Sequence, residues 1–155
     1  MSTQVLSEQG LSAWIGLLRG HAALTRKLNA ELITDHGITI NDYDVMAQLV
    51  KAPERKMRRV DLARSVVLSA SGITRLLDGL EREGWVCKAS CTSDGRITYA
   101  VLTDEGQAKY RAARATHLAS VRELFADRYS CDELEQLGEL LGRLDGEPLA
   151  CETDA

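Results

Sequence analysis

Apolar residues recur at helical spacing through most of the chain, and the places where that period breaks mark out its elements. From Leu11 the stripe Leu11, Trp14, Ile15, Leu18, Ala22, Thr25, Leu28 and Leu32 keeps one face for about six turns. Ser7 is placed to cap its start, and Gly37 to end it after His36. Thr39 and Asp42 make a capping-box-like pair, Asp standing in for the usual Glu or Gln. The helix they open carries Tyr43, Val45, Met46, Leu49 and Val50 and ends at Pro53. Lys51 to Arg59 reads as a basic linker into a short helix, Arg59 to Val67, with Val60, Leu62, Ala63, Val66 and Val67 on a broad apolar stripe. Ser69 can cap a fourth helix reaching Glu83, which buries Ile73, Leu76, Leu77 and Leu80. Gly84 stops it where a positive φ is cheap.

The period then changes. Trp85 to Ser90 and Ile97 to Leu102 are strand candidates, joined across Thr92-Ser93-Asp94-Gly95, a strong turn signal. Thr103 can cap a long helix to about Ala126, with Tyr110, Ala113, His117, Val121, Leu124 and Phe125 along its stripe. Ser130 and Glu133 form a full capping box for a sixth helix, with Leu134, Leu137, Leu140, Leu141 and Leu144 inward and Gly146 and Pro148 closing it. The expected fold is mainly α with a small β-hairpin wing: six helices built around a winged helix-turn-helix. In such a unit the second helix enters the major groove and the first braces it against the backbone.

That assignment divides the chain. Residues 1–36 are expected to be an N-terminal dimerisation helix, 37–103 the winged module, 104–146 the C-terminal dimerisation helices and 147–155 a flexible tail. The first, fifth and sixth helices are too long and too apolar to pack on the small module alone, so a homodimer is expected. Two-fold symmetry would then match a pseudo-palindromic double-stranded DNA operator with half-sites about one helical turn apart.

Charge sharpens this picture. The formal net charge is −4, yet residues 51 to 96 hold ten Lys or Arg against six Asp or Glu. A locally basic module on an acidic body suits a polyanion partner and predicts strong salt dependence. The first turn of the fourth helix is small and polar (Ser69, Ser71, Gly72, then Thr74 and Arg75), while Asp78, Glu81 and Glu83 lie further along. Free N–H groups at that end favour phosphate. Arg55, Lys56, Arg58, Arg59 and Arg64 flank the third helix as candidate phosphate contacts, which position without specifying sequence.

Other chemistry finds little support. The histidines His21, His36 and His117 are scattered, and no HExxH, zinc-ribbon spacing or phosphate-binding glycine loop occurs. No enzyme, cofactor or metal is expected. No signal peptide is read in the first thirty residues, nor any run long enough to span a membrane. The four cysteines, Cys87, Cys91, Cys131 and Cys151, fit reduced thiols in the cytoplasm.

The segments ITINDYDVMAQL, DLARSVVLSASGITRLLDGLEREGWV, DGR and LTDEG, in this order and spacing, resemble the MarR family of bacterial transcription regulators over about residues 10 to 145. The resemblance implies a homodimer through helices one, five and six, a fourth helix reading the major groove and a wing reaching the minor groove. It also implies a repressor released by a small aromatic or phenolic compound, or by an oxidant. Carried over by position, Ser69, Ser71, Thr74 and Arg75 face bases or phosphates, and Arg96 matches the wing arginine, with Asp94 expected to hold its guanidinium. Gly95 stands where many relatives have a second arginine, so a less basic wing is expected.

For the effector pocket the candidates are Trp14, His21, Tyr43, Asp44 and Lys88. Trp14 and Asp44 resemble two residues of the family's urate-responsive branch, and Lys88 falls where that branch has an arginine, keeping the charge but not the planar fork. An anionic aromatic ligand is compatible with this set. Cys87 and Cys91 are the candidate redox residues of an alternative, oxidant-sensing repressor. On a straight strand they would lie about 13 Å apart, too far for a disulfide unless the wing bends or the thiols pair between subunits. A winged-helix dimer with a purely structural or protein-binding role is a further alternative.

Overall fold

The computed structural model describes residues 6–66 and 70–145. Ser7 accepts from the Gly10 N–H at 3.0 Å and opens α1 (Glu8–His36). Gly37, at φ +67°, closes it by returning its N–H to the Ile33 carbonyl at 2.9 Å. The Thr39 and Asp42 pair caps α2 (Ile40–Lys51) reciprocally, at 3.1 and 2.8 Å, so aspartate does serve in the third position.

The basic linker holds more structure than a connection. Pro53–Arg55 forms a 3-10 turn in which Glu54 and Arg55 both take positive φ, 54° and 55°. Lys56–Arg58 then forms a strand, β1, before α3 (Arg59–Ser65). A three-residue strand is too short to show a hydrophobic period, so only its pairing partner reveals it. The third helix ends at Ser65, earlier than expected. Val67 and the expected cap Ser69 lie outside the described residues.

The fourth helix, α4 (Ala70–Arg82), is followed by Gly84 at φ +77°. The wing strands β2 (Val86–Ser90) and β3 (Thr98–Leu102) pair antiparallel, and β1 adds to the other edge of β3, giving the order β1-β3-β2. Ala100 sits opposite both Met57 and Lys88. The wing is therefore a three-stranded sheet, not the two-stranded hairpin expected.

Thr103 opens α5 (Asp104–Leu124) by accepting from the Gly106 N–H at 3.0 Å. A 3-10 turn at Ala126–Arg128 leads to α6 (Cys131–Asp145), started by the Ser130 and Glu133 box at 2.9 and 3.2 Å. Residues 1–5 and 146–155, including Gly146, Pro148 and the expected flexible tail, lie outside the described residues.

Two compact units divide within α5, one up to His117 and one from Leu118. The first holds the core. Val45, Met46 and Leu49 of α2, Leu62 of α3, Ile73, Leu77 and Leu80 of α4, and Val86, Ala100 and Leu102 of the sheet are buried together. Each large aliphatic side chain so buried contributes roughly 1.5–3 kcal/mol. Val60 corrects the expected stripe of α3: it is 61% exposed, because the short helix turns Leu62 and Ala63 inward instead. On α1, Leu11, Trp14, Ile15 and Leu18 are exposed. In the second unit Phe125 packs against Tyr129 with ring centroids 5.5 Å apart, and Leu140 and Leu144 of α6 are exposed. Among the described residues no helix is long and apolar enough to cross a membrane.

Candidate nucleic-acid interface

The helical period of α4 separates its two jobs. Ile73, Leu77 and Leu80 face the core, which turns Ser71 and Arg75 out to solvent near the helix start. Thr74 is half-buried, and its hydroxyl accepts from Nη2 of Arg59 at 2.5 Å. The first residue of α3 thus braces the outer face of α4. Arg64 is exposed on α3.

In the wing the chain turns between Cys91 and Ile97, whose backbone groups pair at 3.0 Å. Arg96 is exposed there. Asp94 supports it differently from the expectation: its carboxylate accepts from the Arg96 backbone N–H at 3.0 Å, not from the guanidinium. An aspartate two residues earlier reaches that N–H in an Asx turn, which shapes the loop and leaves the arginine side chain to be placed otherwise.

A groove of about 360 Å³ opens between α3, the start of α4 and the wing. Arg58, Arg59 and Arg96 line it over Val60, Ala63 and Ile73, and among the described residues no carboxylate does. Arg58 stands opposite Tyr99 in the β1–β3 register, and the Tyr99 hydroxyl raises its guanidinium above the ordinary value. Two weaker candidates have partners within the chain. Arg55 donates to Gln107 at 2.9 Å and pairs with Asp104 at 2.9 Å, fastening the strained turn to the first turn of α5. Lys56 pairs with Glu54 at 3.3 Å and lies over the Tyr99 ring.

The effector candidates are spread out. Trp14 and His21 are exposed on α1. Tyr43 is buried, its ring stacked on Tyr110 at 5.3 Å and tilted against His117 at 4.4 Å, and burial raises its phenol well above the ordinary value. Asp44 lies at the surface of α2, where partial desolvation raises its carboxyl. Lys88 bridges Asp78 and Glu81 of α4 at 2.8 and 3.0 Å. None of the five lines the groove beside the wing, nor a second groove of about 390 Å³ bounded by Asp42, Glu83 and Lys109.

Cys87 and Cys91 are free thiols, as is Cys131. The Cys91 thiol lies 3.1 Å from the Ser93 hydroxyl, and that hydrogen bond lowers it below the ordinary thiol value. Among the described residues no group of three or more His, Cys, Asp or Glu is placed to hold a metal ion.

Sequence reasoning missed the partners of Lys88 and the brace between Arg59 and Thr74. The first left a faint signal, an acidic pair at Asp78 and Glu81 on one helical face with a lysine beyond the Gly84 turn.

Known proteins share this fold. The MarR family model matches residues 38–98. AbsC, a MarR family transcriptional regulator from Streptomyces coelicolor, is 30% identical, with 94% of this chain and 100% of AbsC covered and a TM-score of 0.82. Sco3205, a MarR family regulator from the same organism solved in complex with DNA, is 27% identical, with 99% and 96% covered and a TM-score of 0.88. The HTH-type transcriptional repressor YetL of Bacillus subtilis is 26% identical over 124 residues, which are 78% of this chain and 74% of YetL.

Proposed function

This chain belongs to the MarR family of winged helix-turn-helix transcription regulators, and from that premise we propose that it is a homodimeric repressor of a pseudo-palindromic operator. It is a DNA-binding transcription regulator. The observation that carries the reading is the outward tip of α4: Ser71 and Arg75 are exposed, and Thr74 shares a groove with Arg96 of the wing. Arg75 is the base-reading candidate in the major groove and Arg96 the minor-groove probe, while Arg64 adds a phosphate contact. Repression is favoured because YetL is a repressor.

Dimerisation through α1, α5 and α6 is supported by exposed apolar residues in each unit, Trp14 at 54% on α1 and Leu144 at 71% on α6. Large side chains left in water at this density are the mark of a surface that a second copy covers. Residues 1–36 and 104–146 then serve as dimerisation segments around the 37–103 reader. Work on chromosomal DNA places the protein in the cytoplasm. A small anionic aromatic compound is the proposed releasing signal, read by Trp14, His21, Tyr43, Asp44 and Lys88.

A shift assay with the DNA flanking its own gene, against specific and random competitors, tests the reading. Specific retention as a dimer, relieved by urate, salicylate or a related phenol, is expected. Loss of specificity against every flanking fragment would end it. The lowered Cys91 thiol favours one second reading, release by peroxide, in which retardation is lost on oxidation and returns with a thiol reductant.

A further inference from the structure

The turn between α2 and β1 is held in a conformation that its residues disfavour. Glu54 and Arg55, neither of them glycine, sit side by side at φ 54° and 55°. Backbone of this kind crowds the Cβ of an ordinary residue, so two in succession persist only where other contacts hold them. Those contacts come from the start of α5. Arg55 Nη1 donates to Oε1 of Gln107 at 2.9 Å, and its Nη2 meets Oδ1 of Asp104 at 2.9 Å. One planar guanidinium thereby grips two positions of a single helix, a fork that fixes direction as well as distance.

Stability does not account for this arrangement. Asp104 is 87% exposed, and an ion pair so open to water stabilises less than two strained residues cost. What the fork does is join segments. Lys56, the next residue, starts β1 opposite Val101 of β3, so the grip falls directly before the sheet that carries the wing. The start of α5 is tied from the far end of α4 as well. There Thr103 donates its hydroxyl to the Gly84 carbonyl at 2.7 Å and its N–H to that of Trp85 at 3.0 Å. From these ties α5 runs on past His117, where the first compact unit ends.

We propose that Arg55 is a positioning residue for operator binding, which sets the direction in which α5 leaves the wing sheet. It touches no DNA. This role rests on the homodimeric reading above, in which α5 belongs to the dimerisation segments. Two half-sites are engaged together only if each reader departs from its α5 at one angle. A linked pair gains affinity from its second site only where geometry permits both contacts at once. Releasing the fork leaves each reader intact and blurs the half-site spacing at which the pair acts.

The full-length chain is titrated as wild type, Arg55→Asn and Arg55→Lys. The duplexes are the operator, a single half-site, random DNA, and operators whose half-site spacing is altered by one or two base pairs. Asparagine tolerates positive φ, so Arg55→Asn removes the fork without adding strain. It is expected to bind the intact operator about tenfold more weakly, as a linked pair does when its geometry loosens. Its affinity for the single half-site should equal that of wild type, and its preference among spacings should flatten. Arg55→Lys, which restores the cation but not the fork, should fall between the two, and melting temperatures should shift little throughout. Three outcomes overturn the role while leaving the DNA reading intact. One is operator affinity unchanged in Arg55→Asn, and another is a loss that follows melting temperature with the spacing preference kept. The third is equal weakening on operator, half-site and random DNA with a shallower salt slope, which would make Arg55 a phosphate contact. Failure of wild type to prefer any operator fragment would remove the DNA reading itself, and this role with it.

Discussion

Lys88 Nζ lies 2.8 Å from Oδ1 of Asp78 and 3.0 Å from Oε2 of Glu81, so one ammonium on β2 ties two carboxylates on neighbouring turns of α4. The strand entering the wing is thereby fastened to the helix proposed to read DNA. The hydrogen bond from Lys88 holds the Asp78 carboxyl below the usual range, and the bonds to Asp78 and Glu81 hold Lys88 above its own.

Lys88→Met is expected to weaken operator binding several-fold by loosening the wing against α4, with a smaller loss of thermal stability, since exposed ion pairs stabilise little. Its pH dependence follows from the two directions. Asp78 is depressed, so its share is present above the ordinary carboxylate value and lost as pH falls through the folded one. Lys88 is raised, so its share is present below the ordinary lysine value and lost as pH rises through the folded one. Melting curves of wild type and Lys88→Met should therefore differ at neutral pH and converge in acid. A constant gap down to full carboxylate protonation would contradict the clamp.

Arg96→Ala is expected to weaken operator binding about tenfold, the scale of one lost groove contact at roughly 1–3 kcal/mol. Helicity and dimer should be unchanged, because Asp94 holds the loop through the Arg96 backbone N–H, which alanine retains. Fluorescence anisotropy at near-physiological salt decides it, and affinity equal to wild type would remove Arg96 from the interface.

Gly106→Ala should destabilise the chain by about 1–3 kcal/mol, as overpacking does. A Cβ there would stand 2.1 Å from the Trp85 carbonyl oxygen and 2.7 Å from the Leu102 side chain. That carbonyl also accepts from the Thr103 N–H at 3.0 Å, so relief must move the join between wing and α5. Gly79→Ala is the contrast: its Cβ would meet only the tip of Arg82 at 4.0 Å, and helix propensity favours the change by about 0.5–1 kcal/mol. Thermal denaturation of the two variants should move in opposite directions.

His117 gives an acid-sensitive term. Burial holds its imidazole below the ordinary value, with Glu31 opposing, and its Nδ1 is buried without a partner among the described residues. The groups around it are Glu31 on α1, Tyr43 on α2 and Tyr110 of its own helix, the last stacked on Tyr43. The unfolded chain takes up the proton first, so stability is intact above the ordinary histidine value and declines as pH falls through it. His117→Phe should flatten the melting temperature between about pH 7.5 and 5. An unchanged slope would assign the acid loss elsewhere.

Local rules made much of this chain legible. Ser7, Gly37, Thr39 with Asp42, Gly84, Thr103 and Ser130 with Glu133 act at element ends as their residue types imply, because a cap needs only neighbours within a few positions. The periods of α2 and α4 named their buried residues for the same reason.

The sequence by itself determined the six helices, the turn of the wing, the basic module and the family resemblance, since periodicity, caps and motif order are written along the chain. Tertiary structure alone decided that Lys56–Arg58 is a strand, that Val60 faces outward, that Arg59 grips Thr74 and that Lys88 bridges α4. Each of these depends on which distant segment arrives alongside: a ladder partner 43 positions away for Met57, a hydroxyl 15 away for Arg59. A side chain's residue type sets what it can bond; only the packed backbone sets what comes within reach.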